Sequence, residues 1–361
     1  MARRPEGPLK RGWTTGACAT AATRAAYTAL LTGVFPDPVT IRLPRGETPA
    51  FPLAREERGA NFARAGIVKD AGDDPDVTHG ALVLATLRRG RPGEGVAFRA
   101  GAGVGTVTKP GLPLPVGEPA INPKPREMMR AVVAEVAAEC GDAGDVEVEI
   151  SIPGGAELAR KTWNPRLGIE GGLSVLGTTG VVVPFSCSAW IHSIHRGIDV
   201  ARANGLGHVA ACTGSTSEAT VRALYGLPET ALLDMGDFAG GLLKYLRRHP
   251  LPRLSLGGGF AKLAKLAAGN LDLHSGRSQV DFDFLAGMLA DLGGDAALVA
   301  RARAANTASE ILGLAEAAGL PLADAIAARA RDTALGVLSG GTEVEVLVID
   351  REGRLVGRAD G

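Results

Sequence analysis

The chain has 361 residues and no net charge, with 39 Lys and Arg against 39 Asp and Glu. That length predicts two domains, and the charge balance argues against nucleic acid or an anionic membrane as the main partner. Apolar residues reach 45% but Phe, Trp and Tyr together only 4%, so the cores must be built from Ala, Val, Leu and Ile, and no base-stacking surface is expected.

Glycine is in excess, at 50 residues, and falls in short runs between periodic segments without a collagen-like repeat, which assigns it to turns and loops. Cys18, Cys140, Cys187 and Cys212 lie far apart with no C-x-x-C pair, so neither structural zinc nor a disulfide framework is suggested and a cytoplasmic location fits. Arg3 and Arg4 open the chain, but Arg24 interrupts the Ala-rich stretch behind them and no run of about 18 apolar residues occurs. Neither a signal peptide nor a membrane span is expected.

Thr14-Thr15-Gly16 before an Ala-rich segment ending at Gly33 predicts a Thr-capped helix over Ala17 to Leu31. Val39 to Leu43 and Ile67 to Lys69 predict short strands. Ala81 to Arg88 and Val96 to Arg99 flank Gly90 to Gly95 and predict a hairpin, with helix the alternative for the first run. From Gly101 to Pro125 Gly and Pro dominate, but Val104, Val107, Leu112, Leu114 and Ile121 are interleaved, which favours an ordered loop over a linker. A helix over Arg126 to Cys140 and an alternating strand over Asp145 to Ile152 follow.

The second part has a clearer rhythm. After a helix over Ser188 to Ala203, three strand-like runs (His208 to Cys212, Ala231 to Met235, Arg253 to Leu256) end at Gly214, Gly236 and Gly258, each leading into a helix. The constant step predicts three βα units with parallel strands and the three glycine loops along one edge. Helices over Phe282 to Leu292, Ala308 to Ala318 and Leu322 to Leu335 and a terminal strand, Glu343 to Ile349, complete the chain. The expected fold is mixed α and β: an α+β domain over 1–170 with a mostly antiparallel sheet, then an α/β domain over 171–361 whose last strand is free to rejoin the first domain.

Ligands of open parallel sheets lie outside the carboxyl ends of the strands, where helix N-termini present unpaired N–H groups. Thr213, Gly214, Ser215, Ser217 and Glu218, then Gly236 and Asp237, then Gly257, Gly258, Gly259 and Lys262 meet that description; the bland alternative is that Ser, Thr and Asp caps simply start helices there. Asp237 suits ribose hydroxyls. Asp73, Asp74, Asp76 and His79 crowd into one decapeptide; a turn with a ligand-facing Asp or His is favoured over an oxygen-ligand metal site. Gly101 to Gly105 resembles a dinucleotide fingerprint but lacks the following helix, and His192 with His195 lacks a third metal ligand. Arg outnumbers Lys 31 to 8, and Lys109, Lys161, Lys262 and Lys265 sit in or beside glycine- or proline-marked segments, so they are read as binding carboxylates of an anionic ligand, with chance placement the competing reading.

Several stretches together resemble the CbiD family of cobalt-precorrin-5B C-1 methyltransferases: Gly12 to Ala19, Ala71 to Gly80, Gly103 to Leu112, Pro119 to Pro123, Lys161 to Ile169, Leu176 to Gly180, Thr213 to Glu218 and Met235 to Phe238. After Pro184 the family often continues with acidic residues, where this chain has Phe185 to Trp190. The resemblance implies transfer of a methyl group from S-adenosylmethionine to C-1 of a cobalt-bearing tetrapyrrole, with the cobalt arriving inside the substrate, no protein metal site, and a homo-oligomer left open. With it, Thr14, Thr15, Gly16, Asp73, Asp74, His79, Gly103, Gly105, Lys109, Asn122, Lys161, Asn164, Arg166, Thr178, Thr179 and Gly180 also stand among the residues expected to bind substrate or cofactor. His79 and Asp237 are the weak candidates for a catalytic base. The rivals are a magnesium-dependent phosphoryl-transfer enzyme using Asp73, Asp74 and Asp76, and a non-catalytic tetrapyrrole carrier.

Overall fold

The computed structural model describes residues 7–360; Arg3 and Arg4 lie outside the described residues. The chain divides into two compact units, Met1–Cys187 and Ser188–Gly361.

Unit 1 is organised around helix α1 (Thr15–Thr32), a five-stranded sheet of β1 (Arg55–Arg58), β2 (Ala63–Val68), β3 (Leu82–Arg89), β4 (Val96–Ala100) and β5 (Val146–Ser151), and helix α2 (Pro123–Cys140). The Thr14 hydroxyl accepts from Ala17 N–H at 3.2 Å to start α1, and Gly33 (φ 87°) closes it. Ala17, Ala21, Ala22, Ala25, Ala26 and Tyr27 are all wholly buried, because α1 packs against both the sheet and α2. Only small side chains let a helix be enclosed on nearly every side at close axial spacing. Tyr27 donates its O–H to Asp142, just beyond α2, and so ties the two helices together.

The sheet order is β1-β2-β3-β5-β4, antiparallel throughout except that β4 runs parallel to β5. The expected hairpin therefore does not form: Leu82–Arg89 is a strand, but β5 lies between it and β4. The Gly90–Gly95 connection is too long for a two-residue turn, and the Asp145 carboxylate accepts from the N–H groups of Gly93 (2.9 Å) and Gly95 (2.7 Å), holding the connection open across the intervening strand. The 101–125 segment is ordered, with Thr106–Val107 paired to Ile169–Glu170 and Val104, Val107, Leu114 and Ile121 buried. α2 begins at Pro123, three residues before the expected start, since Pro is tolerated where first-turn N–H groups have no partner anyway. Of the Val39 to Leu43 run only Val39–Thr40 is a strand, paired with Ala50–Phe51.

In unit 2, α3 (Cys187–Ala203) leads into β6 (His208–Cys212), α4 (Ser215–Tyr225), β7 (Leu232–Asp234), α5 (Ala239–Leu246), β8 (Arg253–Gly258) and α6 (Phe260–Ala267). Four further helices follow: α7 (Phe282–Asp291), α8 (Ala296–Arg303), which the sequence reading missed, α9 (Ala308–Ala317) and α10 (Leu322–Leu338). The chain ends in β9 (Glu343–Ile349) and β10 (Leu355–Ala359). The sheet order is β7-β6-β8-β9-β10, parallel except for β10, so the terminal strand pairs with β8 inside this unit. Strands buried on both faces, such as Val209-Ala210-Ala211-Cys212, carry the continuous apolar runs that parallel sheets require. The connections run from β6 outward to β7 and then back to β8 on the other side. Neighbouring strands β6 and β8 thus send their chains in opposite directions, opening a crevice at their carboxyl ends.

Candidate functional site

The three glycine loops of unit 2 gather at that edge. Thr213 N–H donates to Gly257 O at 2.9 Å, joining the ends of β6 and β8. The Lys262 ammonium, from the first turn of α6, donates to Thr213 O at 2.9 Å and stands 3.1 Å from Asp237 Oδ1, so one cation connects all three loops. No side chain caps α4, α5 or α6, although Asp281, Asp295 and Thr307 cap α7, α8 and α9. The reading of the loops as ordinary Ser, Thr and Asp caps is thus not what the rim shows: Ser217 is buried and turns its hydroxyl to Gly214 O. The helix N-termini are left for an outside acceptor.

The glycines there do different jobs. A Cβ on Gly257 would sit 2.8 Å from Val221, and one on Gly258 2.9 Å from the Thr213 side chain, so both serve strand packing. A Cβ on Gly214 would meet nothing within 4 Å and one on Gly259 only Ile349 O at 3.9 Å, so these two keep space clear above the sheet. Gly236 (φ 56°) carries the chain past the ring of Trp190, whose Nε1 donates to Asp234 O at 3.0 Å. Trp190 was missed; it belongs to the stretch that departs from the family pattern, and only the fold brings it under β7. Glu218 and Ser215 also line an open depression of about 560 Å³ along the outer side of α4.

In unit 1 the matched stretches converge on the start of α1. Trp13 N–H donates to Asp70 O, Thr14 N–H to Gly180 O, and Gly16 N–H to Leu176 O. A Cβ on Gly16 would lie 2.8 Å from Pro125, beside Asn122, whose N–H donates to Val175 O and whose side chain makes no cap bond. Gly103 and Gly105 run against the 152–155 and 169–173 segments; a Cβ on Gly103 would be 1.9 Å from Ile152 O. Asn164 is buried, donating to Gly172 O and accepting from Ser174. Thr179 accepts from Val181 N–H, Thr15 is buried, and Lys109 lies along Gly168; Thr178 and Lys161 are exposed and Arg166 half-buried.

The carboxylates of the 70–80 loop point apart. Asp73 accepts from Lys10 N–H (2.6 Å), Asp74 from Phe185 N–H (2.8 Å), and Asp76 pairs with the buried Lys69. Among the described residues no group of three or more His, Cys, Asp or Glu is placed to hold a metal ion, and the three Asp side chains are spent on holding the loop. Burial opposes ionisation of Asp76, but Lys69 and the Thr78 N–H and O–H outweigh it and hold its carboxyl below the ordinary range. Lys10 and the Gly72 N–H likewise lower Asp70. His79 Nδ1 accepts from Ala71 N–H at 3.1 Å, so the proton of the neutral ring sits on Nε2, on a side chain that is 55% exposed.

One expectation needs correction, that Lys262 and Lys265 bind ligand carboxylates. Lys265 is buried and donates to Leu273 O, and Lys262 serves Thr213 O and Asp237, so neither is a free cation for a ligand carboxylate. His195 stacks on Tyr245 at 3.9 Å and bonds Gly241 O, which gives it a packing role. The cations that the sequence reading overlooked are Arg11, Arg42 and Arg45, all exposed and without an ionic partner among the described residues. Leu43, between the last two, packs under Gly180. Val77, Leu176 and Val183 stand 39–51% exposed. No helix among the described residues is long and apolar enough to cross a membrane.

The CbiD family model matches residues 2–184, and the model of the CbiD C-terminal domain matches residues 272–360. A protein of Paramagnetospirillum magneticum named cobalt-precorrin-5B C(1)-methyltransferase is 65% identical over 98% of this chain and 99% of its own. One of the same name from Brucella anthropi is 61% identical over 97% of this chain and 95% of its own. The crystal structure of a cobalamin biosynthesis protein (cbiD) from Archaeoglobus fulgidus covers 75% of this chain and 84% of its own at 28% identity, with a TM-score of 0.41. With its first half matched without interruption and near-full-length relatives above 60% identity, the chain belongs to the CbiD family.

Proposed function

We propose that this protein is the S-adenosylmethionine-dependent methyltransferase that methylates C-1 of cobalt-precorrin-5B, acting in the cytoplasm. The observation that carries the reading is the 61–65% identity, over 97–98% of the chain, to relatives bearing that name. The methyl donor belongs on the rim of unit 2, where uncapped helix N-termini and the open space above Gly214 and Gly259 suit its carboxylate and adenosine. The tetrapyrrole belongs on unit 1. A flat apolar ring edged with acetates and propionates suits a unit that exposes Val77, Leu176 and Val183 together with Arg11, Arg42, Arg45 and the outward Nε2–H of His79.

The donor's sulfonium supplies an already activated methyl group, so the chain's own task is positioning and exclusion of water. Alignment alone is worth roughly 7–11 kcal/mol of a barrier. His79 acts as a hydrogen-bond donor and not as a base, since its outward nitrogen already bears the proton. The magnesium-dependent alternative loses its ligands to Lys10, Phe185 and Lys69. Anaerobic incubation with the cobalt macrocycle and labelled donor should add one methyl mass to the product at the ring carbon; binding of the macrocycle with no mass gain would leave the carrier reading instead.

A further inference from the structure

The loop between β2 and β3 is built around an ammonium. Its neck is closed by the Lys69 main chain, whose N–H donates to Ala81 O at 2.9 Å and whose carbonyl accepts from Gly80 N–H at 2.8 Å. The Lys69 side chain is only 2% exposed, although lysine is seldom enclosed without a partner, and its ammonium donates to Asp76 and to the Thr78 hydroxyl (2.6 Å). The second Asp76 oxygen, Oδ1, accepts from Thr78 N–H (2.7 Å) and O–H (2.6 Å), and the Asp76 carbonyl accepts from His79 N–H at 3.0 Å. Lys69 thus grips the chain on both sides of His79, through Asp76 and Thr78 before it and Gly80 and Ala81 after it.

The imidazole itself has two ways to settle. Its Nδ1 accepts from Ala71 N–H at 3.1 Å, which leaves the proton on the outward Nε2. Asp70 Oδ1 stands 3.9 Å from the same Nδ1 and favours the opposite tautomer, with the proton on Nδ1 and a bare Nε2 that would repel a carboxylate. Which partner Nδ1 meets depends on how the 76–79 turn is seated over residues 69–71, and the ammonium joins the two. We propose that Lys69 is a positioning residue for the tetrapyrrole: by clamping Asp76 and Thr78 it keeps the His79 ring on Ala71 N–H, so that Nε2–H is what a substrate carboxylate meets. This rests on the placement of the tetrapyrrole on unit 1.

The test labels the full chain with nitrogen-15 histidine at mildly alkaline pH, where imidazole is neutral, and identifies the His79 ring signals by their loss in His79→Gln. In the wild-type protein Nδ1 should resonate as an unprotonated nitrogen and Nε2 as a protonated one. In Lys69→Met/Asp76→Asn, which removes the ammonium without stranding a charge, both should move toward the average of the two tautomers. Anaerobic titration with cobalt-precorrin-5B should show that double variant binding about 10-fold more weakly, with S-adenosylhomocysteine affinity unchanged, and adding His79→Gln to it should cost nothing further, since both changes remove the same contact. Thr78→Val keeps the ion pair and the side-chain shape and should move the ring signals in the same direction, which gives an answer even if the Lys69 variant does not fold. Ring signals unmoved in these variants overturn the clamp, and so does full macrocycle affinity in the double variant when His79→Gln alone weakens it. If His79→Gln itself binds the macrocycle as wild type does, the placement of the tetrapyrrole falls instead.

Discussion

The two units use glycine for opposite purposes. In unit 1 three glycines of the matched stretches are pressed against backbone: a Cβ would lie 2.1 Å from Ala71 at Gly12, 2.2 Å from Lys10 O at Gly72, and 1.9 Å from Ile152 O at Gly103. In unit 2 the rim glycines Gly214 and Gly259 face open space. The same residue type thus knits one unit's loops into a solid surface and keeps a crevice clear in the other. A glycine-rich motif is therefore not one signal but two, separable only by what surrounds each Cα.

That contrast yields its largest effect in stability. Gly103→Ala, strained at φ 78° and overpacked against Ile152, should destabilise unit 1 by about 3 kcal/mol, near the top of the overpacking range. Gly259→Ala should stay within about 0.5 kcal/mol of wild type, as surface changes do. Urea midpoints for both check this, and equal costs would erase the distinction. Gly259→Val should next show a near-normal melt and a loss of at least about 10-fold in S-adenosylhomocysteine affinity, a change of roughly 1.4 kcal/mol; unaltered affinity would mean the space is not used.

On the unit 1 side, the Arg42→Gln/Arg45→Gln double variant should raise KM for the macrocycle about 5-fold with kcat retained, and flatten its salt dependence, since exposed cations act through screened attraction. A kcat loss at constant KM would place these residues elsewhere in the mechanism. The smallest effect concerns Asp142, whose carboxyl is brought down from 3.8 to about 2, chiefly by the Tyr27 hydroxyl against the cost of burial, with Arg89 and the Gly144 N–H helping. A depressed carboxyl contributes fully above its unfolded value and loses that contribution as the pH falls from about 3.8 toward 2. Asp142→Asn should make unit 1 less stable at neutral pH and reduce the pH dependence in that window. A variant whose pH profile matches wild type would show that the α1–α2 tie does not depend on this charge.

Unit 2 was the more legible half. Its strands are apolar on both faces and stop at glycine, so His208–Cys212 could be placed to the residue and the common edge of the loops followed from the repeating step. The Ala296–Arg303 helix escaped because it is short and its apolar residues are nearly all Ala. In unit 1 the alternation of Val146, Val148 and Ile150 marked β5 correctly, but nothing local tells a strand that a later strand will be inserted beside it. Trp190 went unnoticed for the same reason: it meets Asp234 and Gly236 only in the folded chain.

What the sequence determined by itself is what short-range forces decide: helix and strand identity, the caps and glycine closures, the parallel character of the second sheet, and the family to which the motifs belong. The tertiary structure decided the split of the 82–100 pair by β5, the diversion of Asp73, Asp74 and Asp76 to separate partners, and the meeting of Thr213, Asp237 and Lys262 through a single ammonium. Those outcomes depend on which donor stands within about 3 Å of which acceptor. Only the folded chain sets such distances.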